Sequence, residues 1–195
     1  MNELKIKELD YLQDSSIVYD FVHNKEWPIY LCSNNNIFSE HKYDIITASP
    51  NEKIFFSNDR TTIQSKGIER ISNEEPIYVL KELMKKYKND NTDLPFTGGA
   101  IGYIAYDHGV KYENIIQKYD DFNIPSFAFG LYDWAFITDH AKKKSYIIYY
   151  EQSDLVNDII VYLKSPINKR NNHFFKITSQ CVSNTSFDTY KDKFN

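Results

Sequence analysis

Apolar and polar residues alternate in short stretches along much of this chain, a period typical of half-buried β-strands. Leu4 and Ile6 alternate with lysines at the start and predict a short edge strand. A longer apolar stretch, residues 29–33, predicts a buried strand. The same criteria predict strands over residues 43–48, 53–57, 61–65, 127–138, 145–150 and 173–178, with a hairpin turn at Asn58-Asp59 and an interruption at Asp133.

Helical spacing of apolar residues appears in three segments between these strands. Residues 16–24, capped by Ser15 or Ser16, predict the first helix. Glu75-Pro76 opens the second, because proline is tolerated in the first turn, and Ser153 or Asp154 caps the third. The apolar faces consist of Ile17, Val18, Phe21 and Val22 in the first helix, Ile77, Leu80, Leu83, Met84 and Tyr87 in the second, and Val156, Ile159, Ile160 and Leu163 in the third.

Hairpin strands with interspersed helices predict an α+β fold with mainly antiparallel sheets, rather than a doubly wound parallel fold. A further helix is predicted near the end of the sequence, where Asn184 or Thr185 can act as the cap and Asp188 completes a capping box. Its apolar face starts at Tyr190 and stops after Phe194. We therefore expect a truncated polypeptide, with a frayed natural terminus as the alternative.

Composition narrows the classes of function. The 195 residues carry a net charge of −4, and the only basic run is Lys142 to Lys144, so no nucleic-acid surface is expected. Two cysteines without CxxC spacing give no basis for a disulfide framework or a zinc site. A signal peptide and an apolar stretch of about 18 residues are both missing from the sequence, which favours a cytoplasmic protein without a membrane span.

The segment from Pro95 to Gly109 contains four of the six glycines. It matches neither the dinucleotide fingerprint nor the phosphate loop, so close packing of a strand against a neighbour is the favoured interpretation. His108 lies here without a nucleophile nearby in sequence, which favours packing over catalysis. Asp133 interrupts an apolar strand and, if buried, needs partners that join the layers of the fold.

These segments resemble a known family. PFTGGAIGYIAYD, followed by IPSFAFGLYDWAFITDH, is similar to two motifs of the component I subunits of anthranilate synthase and aminodeoxychorismate synthase, although Ser126 replaces an aspartate of the pattern. Leu31-Cys32-Ser33 and Lys42-Tyr43-Asp44-Ile45 resemble an upstream pair, and residues 183–194 resemble a linker and helix. The motif residues are Gly98, Gly99, Gly102, Tyr106, Asp107, Tyr132, Asp133 and Trp134.

Cys32 favours the aminodeoxychorismate branch, because anthranilate synthases have glutamate before the serine that matches Ser33. The resemblance implies a transferase of folate biosynthesis that aminates chorismate with Mg²⁺ and with ammonia from a glutamine amidotransferase component II. The tryptophan branch is the alternative.

The resemblance also implies how this chain relates to the whole enzyme. Residues 1–180 would be the N-terminal part of the family's α/β/β/α sandwich, and residues 181–195 a linker and the start of the chorismate-binding domain. The catalytic residues and metal ligands belong to that missing half. We therefore expect no catalytic residue, no metal site and no activity in this chain alone.

One site of the family extends into this part, an effector pocket that binds tryptophan. The matching residues are Ser33, Lys42 and Tyr43, while Glu40 and His41 match the family less closely. A serine hydroxyl can both donate and accept, a glutamate can pair an α-ammonium group, and a lysine can pair an α-carboxylate. A stand-alone tryptophan-binding regulatory module is a further alternative. The simplest interpretation is that Ser33 ends a strand and Lys42 is solvated.

Overall fold

A computed structural model describes residues 3–33, 42–87, 92–113, 124–151, 153–165 and 176–193. These residues form α-helices α1 (Ser16–Val22), α2 (Pro76–Met84), α3 (Asp154–Lys164) and α4 (Phe187–Asp192), and a 3₁₀ helix (Tyr106–Tyr112). The strands are β1 (Lys5–Leu9), β2 (Ile29–Leu31), β3 (Tyr43–Thr47), β4 (Glu52–Ser57), β5 (Arg60–Ser65), β6 (Ile68–Ser72), β7 (Gly99–Ile104), β8 (Phe127–Tyr132), β9 (Trp134–Asp139) and β10 (Lys144–Tyr149).

The strands form two antiparallel sheets of five strands each. Sheet 1 has the order β1-β10-β9-β3-β2, and sheet 2 has the order β6-β5-β4-β8-β7. The predicted long strand over 127–138 divides at Asp133, so that β8 pairs in sheet 2 and β9 pairs in sheet 1. The chain therefore passes from one sheet to the other at this residue.

Each sheet buries one face against helices. Helices α1 and α3 cover sheet 1, where Val18, Val22, Phe136, Ile147 and Ile159 share one core cluster. Helix α2 covers sheet 2 through a second cluster, built from Val79 and Leu80 of the helix and from Ile54, Ile63, Phe127 and Leu131 of the strands. The other face of sheet 1 has a third, smaller cluster of Ala135, Ile137 and Ile148.

The segment before β2 connects sheet 1 to sheet 2 through Trp27. The Trp27 ring, which precedes β2, packs edge-on against Phe55 of β4 at 5.1 Å between centroids. The Tyr132 hydroxyl donates a hydrogen bond to the Trp27 carbonyl at 3.0 Å. Two antiparallel sheets, each with helices packed on one face, confirm the predicted α+β fold with mainly antiparallel sheets.

Local signals explain why these elements form. Asn58 and Asp59 both adopt positive φ, 49° and 55°, as a tight β4–β5 hairpin turn requires. Ser153 caps α3 by accepting the Val156 N–H at 3.3 Å. Pro76 opens α2, as predicted. The Leu4 and Ile6 alternation becomes β1, an edge strand of sheet 1.

Several predictions were wrong in detail. The apolar stretch at 29–33 is not a buried strand, because β2 is an edge strand that ends at Leu31, whose side chain is 47% exposed. Strand β6 was not predicted, since its sequence IERIS is largely exposed. The final helix is capped by Ser186, which accepts the Thr189 N–H, rather than by Asn184 or Thr185. Residues 173–175 lie outside the described residues, and 176–178 are not strand.

Candidate functional site

The sequence-predicted effector residues lie where β2 ends and β3 begins. The Ser33 hydroxyl donates its proton to the Tyr43 carbonyl at 2.5 Å, so its oxygen keeps lone pairs that can accept from a ligand. The Lys42 ammonium nitrogen lies 4.9 Å from the centre of the Tyr43 ring. The structure therefore brings Ser33, Lys42 and Tyr43 together at one end of sheet 1.

Lys42 is exposed and keeps its positive charge. A side-chain hydrogen bond with Tyr43 raises the pKa of Lys42 above its ordinary value, and the negative charges of Asp139 and Asp93 act in the same direction. An ammonium group on the surface at this place can attract a carboxylate. The Tyr43 hydroxyl itself donates to the Asp93 carbonyl at 3.4 Å.

The buried carboxylate of Asp44 contacts several groups at this end of the sheet. Asp44 is 4% exposed and accepts the Ser33 N–H through Oδ1 at 2.8 Å. Its Oδ2 lies 3.1 Å from His140 Nε2, a close polar contact with a poor hydrogen-bond angle, and 3.5 Å from the Tyr30 hydroxyl. Burial, followed by a hydrogen bond with Cys32 and the charge of Asp44, raises the pKa of Tyr30.

His140 connects the same group to two other segments. Its Nδ1 is hydrogen-bonded to the Tyr11 hydroxyl at 3.0 Å, and the two rings meet edge-on. Its backbone N–H donates to the Lys42 carbonyl at 2.8 Å. The Asp44–His140 pair therefore has hydrogen bonds to both Ser33 and Lys42.

A second buried carboxylate lies beside this pair. Asp139 Oδ1 accepts the N–H groups of Ala141 and Lys142 at 3.0 and 2.8 Å and so fixes the turn into β10. Asp139 Oδ2 is buried and has no hydrogen-bond partner among the described residues. In the sheet, Asp139 is the cross-strand neighbour of Tyr43. Two buried carboxylates thus make this end of sheet 1 favourable for positive charge.

Sequence reasoning missed Asp44 and His140 as parts of the site. The sequence places them in a tyrosine–aspartate pair and in a turn, and only the β3–β9 pairing brings them together. No local signal in the sequence links these two residues. Glu40 and His41, which match the family less closely, lie outside the described residues.

The glycine motif has a packing role, as its sequence predicts. A Cβ added at Gly102 would lie 2.0 Å from the Ala128 carbonyl oxygen in the neighbouring strand. Gly98 and Gly99 have φ of 97° and 129°, a region that glycine adopts without strain. His108 lies 2.9 Å from the Ser126 hydroxyl and packs edge-on against Phe56, in line with a packing role. Tyr106 and Asp107 begin the 3₁₀ helix, and the Tyr106 side chain is 97% exposed.

The Tyr132-Asp133-Trp134 motif forms the crossing between the sheets. Trp134 is buried and its Nε1–H donates to the Ala48 carbonyl at 2.9 Å, while the Asp133 carbonyl accepts the Tyr150 N–H at 3.0 Å. Asp133 is half-buried and lines a cleft of about 410 Å³ with Glu52, Lys86, Tyr87, Tyr150 and four other residues. This cleft contains acidic, basic and aromatic side chains, but Glu52 and Lys86 already pair with each other.

Neither metal nor membrane chemistry is indicated by the described residues. They contain no group of three or more His, Cys, Asp or Glu side chains arranged to hold a metal ion. None of their helices combines the length and the apolar character that crossing a bilayer requires. Cys32 and Cys181 are exposed free cysteines that form no disulfide.

Comparison with known proteins shows what this chain is similar to. The chain is 29% identical over 177 residues to aminodeoxychorismate synthase component 1 of Salmonella typhimurium (strain LT2). The alignment covers 89% of this chain and 38% of that protein. The Escherichia coli (strain K12) protein of the same name is 27% identical over 172 residues, 86% of this chain and 37% of its own length. By sequence, this chain is similar to the component I synthases over most of its length. It spans well under half the length of these relatives.

Other similarities are to anthranilate synthases. Anthranilate synthase component 1 of Acetivibrio thermocellus is 34% identical over 111 residues, 55% of this chain and 22% of that protein. The structure of anthranilate synthase component I from Streptococcus pneumoniae TIGR4 aligns with a TM-score of 0.49 and 21% identity over 78% of this chain and 33% of that chain. No family model matches the chain.

Proposed function

We propose that this chain is the N-terminal, non-catalytic portion of an aminodeoxychorismate synthase component I. The observation that carries the proposal is the extent of the alignments. Relatives named aminodeoxychorismate synthase align over 86–89% of this chain, whereas the anthranilate synthase relatives align over 54–58%. The longer alignments favour the aminodeoxychorismate branch.

In this proposal the complete enzyme aminates chorismate to 4-amino-4-deoxychorismate in the cytoplasm, for para-aminobenzoate and folate synthesis. Ammonia would come from a glutamine amidotransferase component II. Mg²⁺ would be held by the chorismate-binding half. The role of this chain is structural, because it supplies sheets against which the catalytic half packs.

An apolar row on sheet 2 supports such packing. On the face opposite α2, the cross-strand neighbours Ile71, Thr62, Phe55, Ala128 and Tyr103 form one row across all five strands. Ile71 and Tyr103, at its two ends, are 59% and 43% exposed. The exposed apolar side chains at the two ends of this row are suited to burial against another part of a protein.

The test is an assay of chorismate consumption with ammonia and Mg²⁺. The chain alone, and the chain mixed with the part of the Salmonella protein outside the alignment, are compared at equal concentrations. We expect no consumption by the chain alone and formation of 4-amino-4-deoxychorismate in the mixture. Conversion of chorismate by the chain alone would refute the non-catalytic role.

The anthranilate branch remains a second candidate because of local similarity. Relatives named anthranilate synthase reach 34% and 35% identity over 111 and 108 residues, higher than the aminodeoxychorismate relatives over a shorter region. A parallel mixture with the corresponding part of the Acetivibrio thermocellus anthranilate synthase tests it. Preferential activation of that partner would assign the chain to the tryptophan branch.

We further propose that Ser33, Lys42 and Tyr43 contribute to an effector site for an α-amino acid, with tryptophan as the first ligand to test. The hydroxyl of Ser33 offers lone pairs to an ammonium group, and Lys42 offers a charge to a carboxylate. Leu31, 47% exposed, and Ile45 lie on the same face of sheet 1 as Tyr43 and could contact an aromatic side chain.

Calorimetric titration with L-tryptophan tests this site. We expect saturable binding that weakens about tenfold or more in Ser33→Ala, because one hydrogen bond to a charged group is lost. Ser57→Ala, an exposed serine at the end of β4, is the matched control and should bind like the parent chain. Heats no larger than those of buffer dilution would exclude an effector site in this chain.

A further inference from the structure

Ser33 and Lys42 are hydrogen-bonded to two buried residues that sequence reasoning did not single out, to the Asp44 side chain and to the His140 backbone. Asp44 and His140 are 4% and 8% exposed, in contact with each other at the end of sheet 1. Asp44 accepts the Ser33 N–H, and the His140 backbone donates to the Lys42 carbonyl. One buried pair therefore fixes the backbone at Ser33 and at Lys42.

We propose that Asp44 and His140 are positioning residues, which fix the backbone at Ser33 and Lys42 for the binding of an α-amino acid without contacting it. The relevance for ligand binding rests on the effector site proposed above. A buried carboxylate that loses a polar neighbour is left poorly compensated, so the arrangement around Asp44 depends on the groups that contact it. The hairpin end is thus defined by a side-chain contact rather than by the strand ladder alone.

The location of the pair in the sheet explains why this contact matters. Strand β2 has only three residues and lies at the edge of sheet 1, so its pairing with β3 ends at Leu31. Beyond Leu31, the described contacts that fix Ser33 are its N–H bond to Asp44 and its hydroxyl bond to the Tyr43 carbonyl. Asp44 is in turn positioned by His140, and His140 by Tyr11.

Other charged groups surround the pair without replacing it. Asp139 points its Oδ1 into the turn at Ala141 and Lys142. The Lys143 ammonium lies 3.3 Å from the Tyr11 hydroxyl and 4.8 Å from the centre of its ring. Lys142 pairs with Asp93 at 3.4 Å. Asp44 is the carboxylate that both accepts the Ser33 N–H and contacts His140.

Two substitutions of His140 separate positioning from simple packing. His140→Phe keeps a ring beside Tyr11 but removes the polar contact to Asp44, whereas His140→Gln loses the ring but keeps an amide N–H that can reach Asp44. Ser15→Ala is the control, because it removes a different buried hydrogen bond on the same sheet face, from Ser15 to Thr138 at 2.8 Å. Thr138 is the cross-strand neighbour of Asp44, so the control lies next to the pair.

The readouts are amide hydrogen exchange at Ser33 and the affinity for L-tryptophan. We expect His140→Phe to accelerate exchange of the Ser33 amide about tenfold or more, with His140→Gln and Ser15→Ala within about threefold of the parent chain. Tryptophan affinity should fall in the same order. Unchanged Ser33 exchange in His140→Phe, or equal acceleration in His140→Gln, would overturn the proposal. Absence of tryptophan binding in the parent chain would refute the effector site alone, because the exchange comparison still decides the positioning role.

Discussion

Replacing Gly102 with alanine should separate β7 from sheet 2. The added Cβ would lie 2.0 Å from the Ala128 carbonyl oxygen and 2.6 Å from Phe129 Cα, and both are backbone atoms of the paired strand β8. Ordinary contacts of a Cβ are longer than 3.4 Å, so the strands must move apart by more than 1 Å at this point. Overpacking of this kind costs about 3 kcal/mol or more, equivalent to a fall in Tm of about 6–12 °C for a chain of this length.

Thermal unfolding followed by circular dichroism measures this effect, with Gly109→Ala as the matched control. A Cβ at Gly109 meets no atom within 4 Å, and alanine restricts the unfolded chain, so its Tm should be unchanged or slightly higher. Equal Tm values for the two variants would refute the close approach of β7 and β8. The result would also remove the structural interpretation of the glycine motif.

Three further predictions follow from named contacts. Ser153→Ala removes the cap of α3 and should lower Tm by about 2–4 °C, for a loss of about 1 kcal/mol, whereas Ser165→Ala, at the exposed end of the same helix, should have little effect on Tm. Trp134→Phe leaves the Ala48 carbonyl without its donor and should destabilise the chain by about 1–3 kcal/mol in urea unfolding; a change below about 0.5 kcal/mol would contradict the buried hydrogen bond. Burial, followed by the charges of Asp133 and Glu52, raises the pKa of Tyr87, so the unfolded chain loses this proton first as the pH rises above about 10, and stability falls there. Tyr87→Phe should make that alkaline decline shallower, and an unchanged slope would contradict the prediction.

Local patterns predicted most of the elements, because turn residues and apolar spacing act over a few residues. Asn58-Asp59 predicts its hairpin, and Glu75-Pro76 predicts the start of α2. The edge position of β2 could not be predicted, because an apolar run does not reveal how many neighbours a strand has. The exposed strand β6 lacks the alternation that marks a half-buried strand.

Part of the candidate site could be predicted from the sequence and part could not. Ser33, Lys42 and Tyr43 came from a resemblance, and the structure brings them together at one end of sheet 1. Their support from Asp44 and His140 depends on the pairing of β3 with β9, across 96 positions of sequence from 44 to 140. Long-range strand pairing of this kind follows from the whole fold, and neither residue carries a local signal for it.

The measurement that tests the central claim most directly is the activity of a chimera. The 177-residue aligned region of the Salmonella protein is replaced with this chain, and formation of 4-amino-4-deoxychorismate from chorismate, ammonia and Mg²⁺ is compared with the parent and with a deletion of that region. Because misplacement by about 1 Å at a remote contact can cost about 100-fold in rate, we expect the chimera to stay within about 100-fold of the parent, with no product from the deletion. A chimera as inactive as the deletion, although folded, would contradict the proposal that this chain is the structural portion of such a synthase.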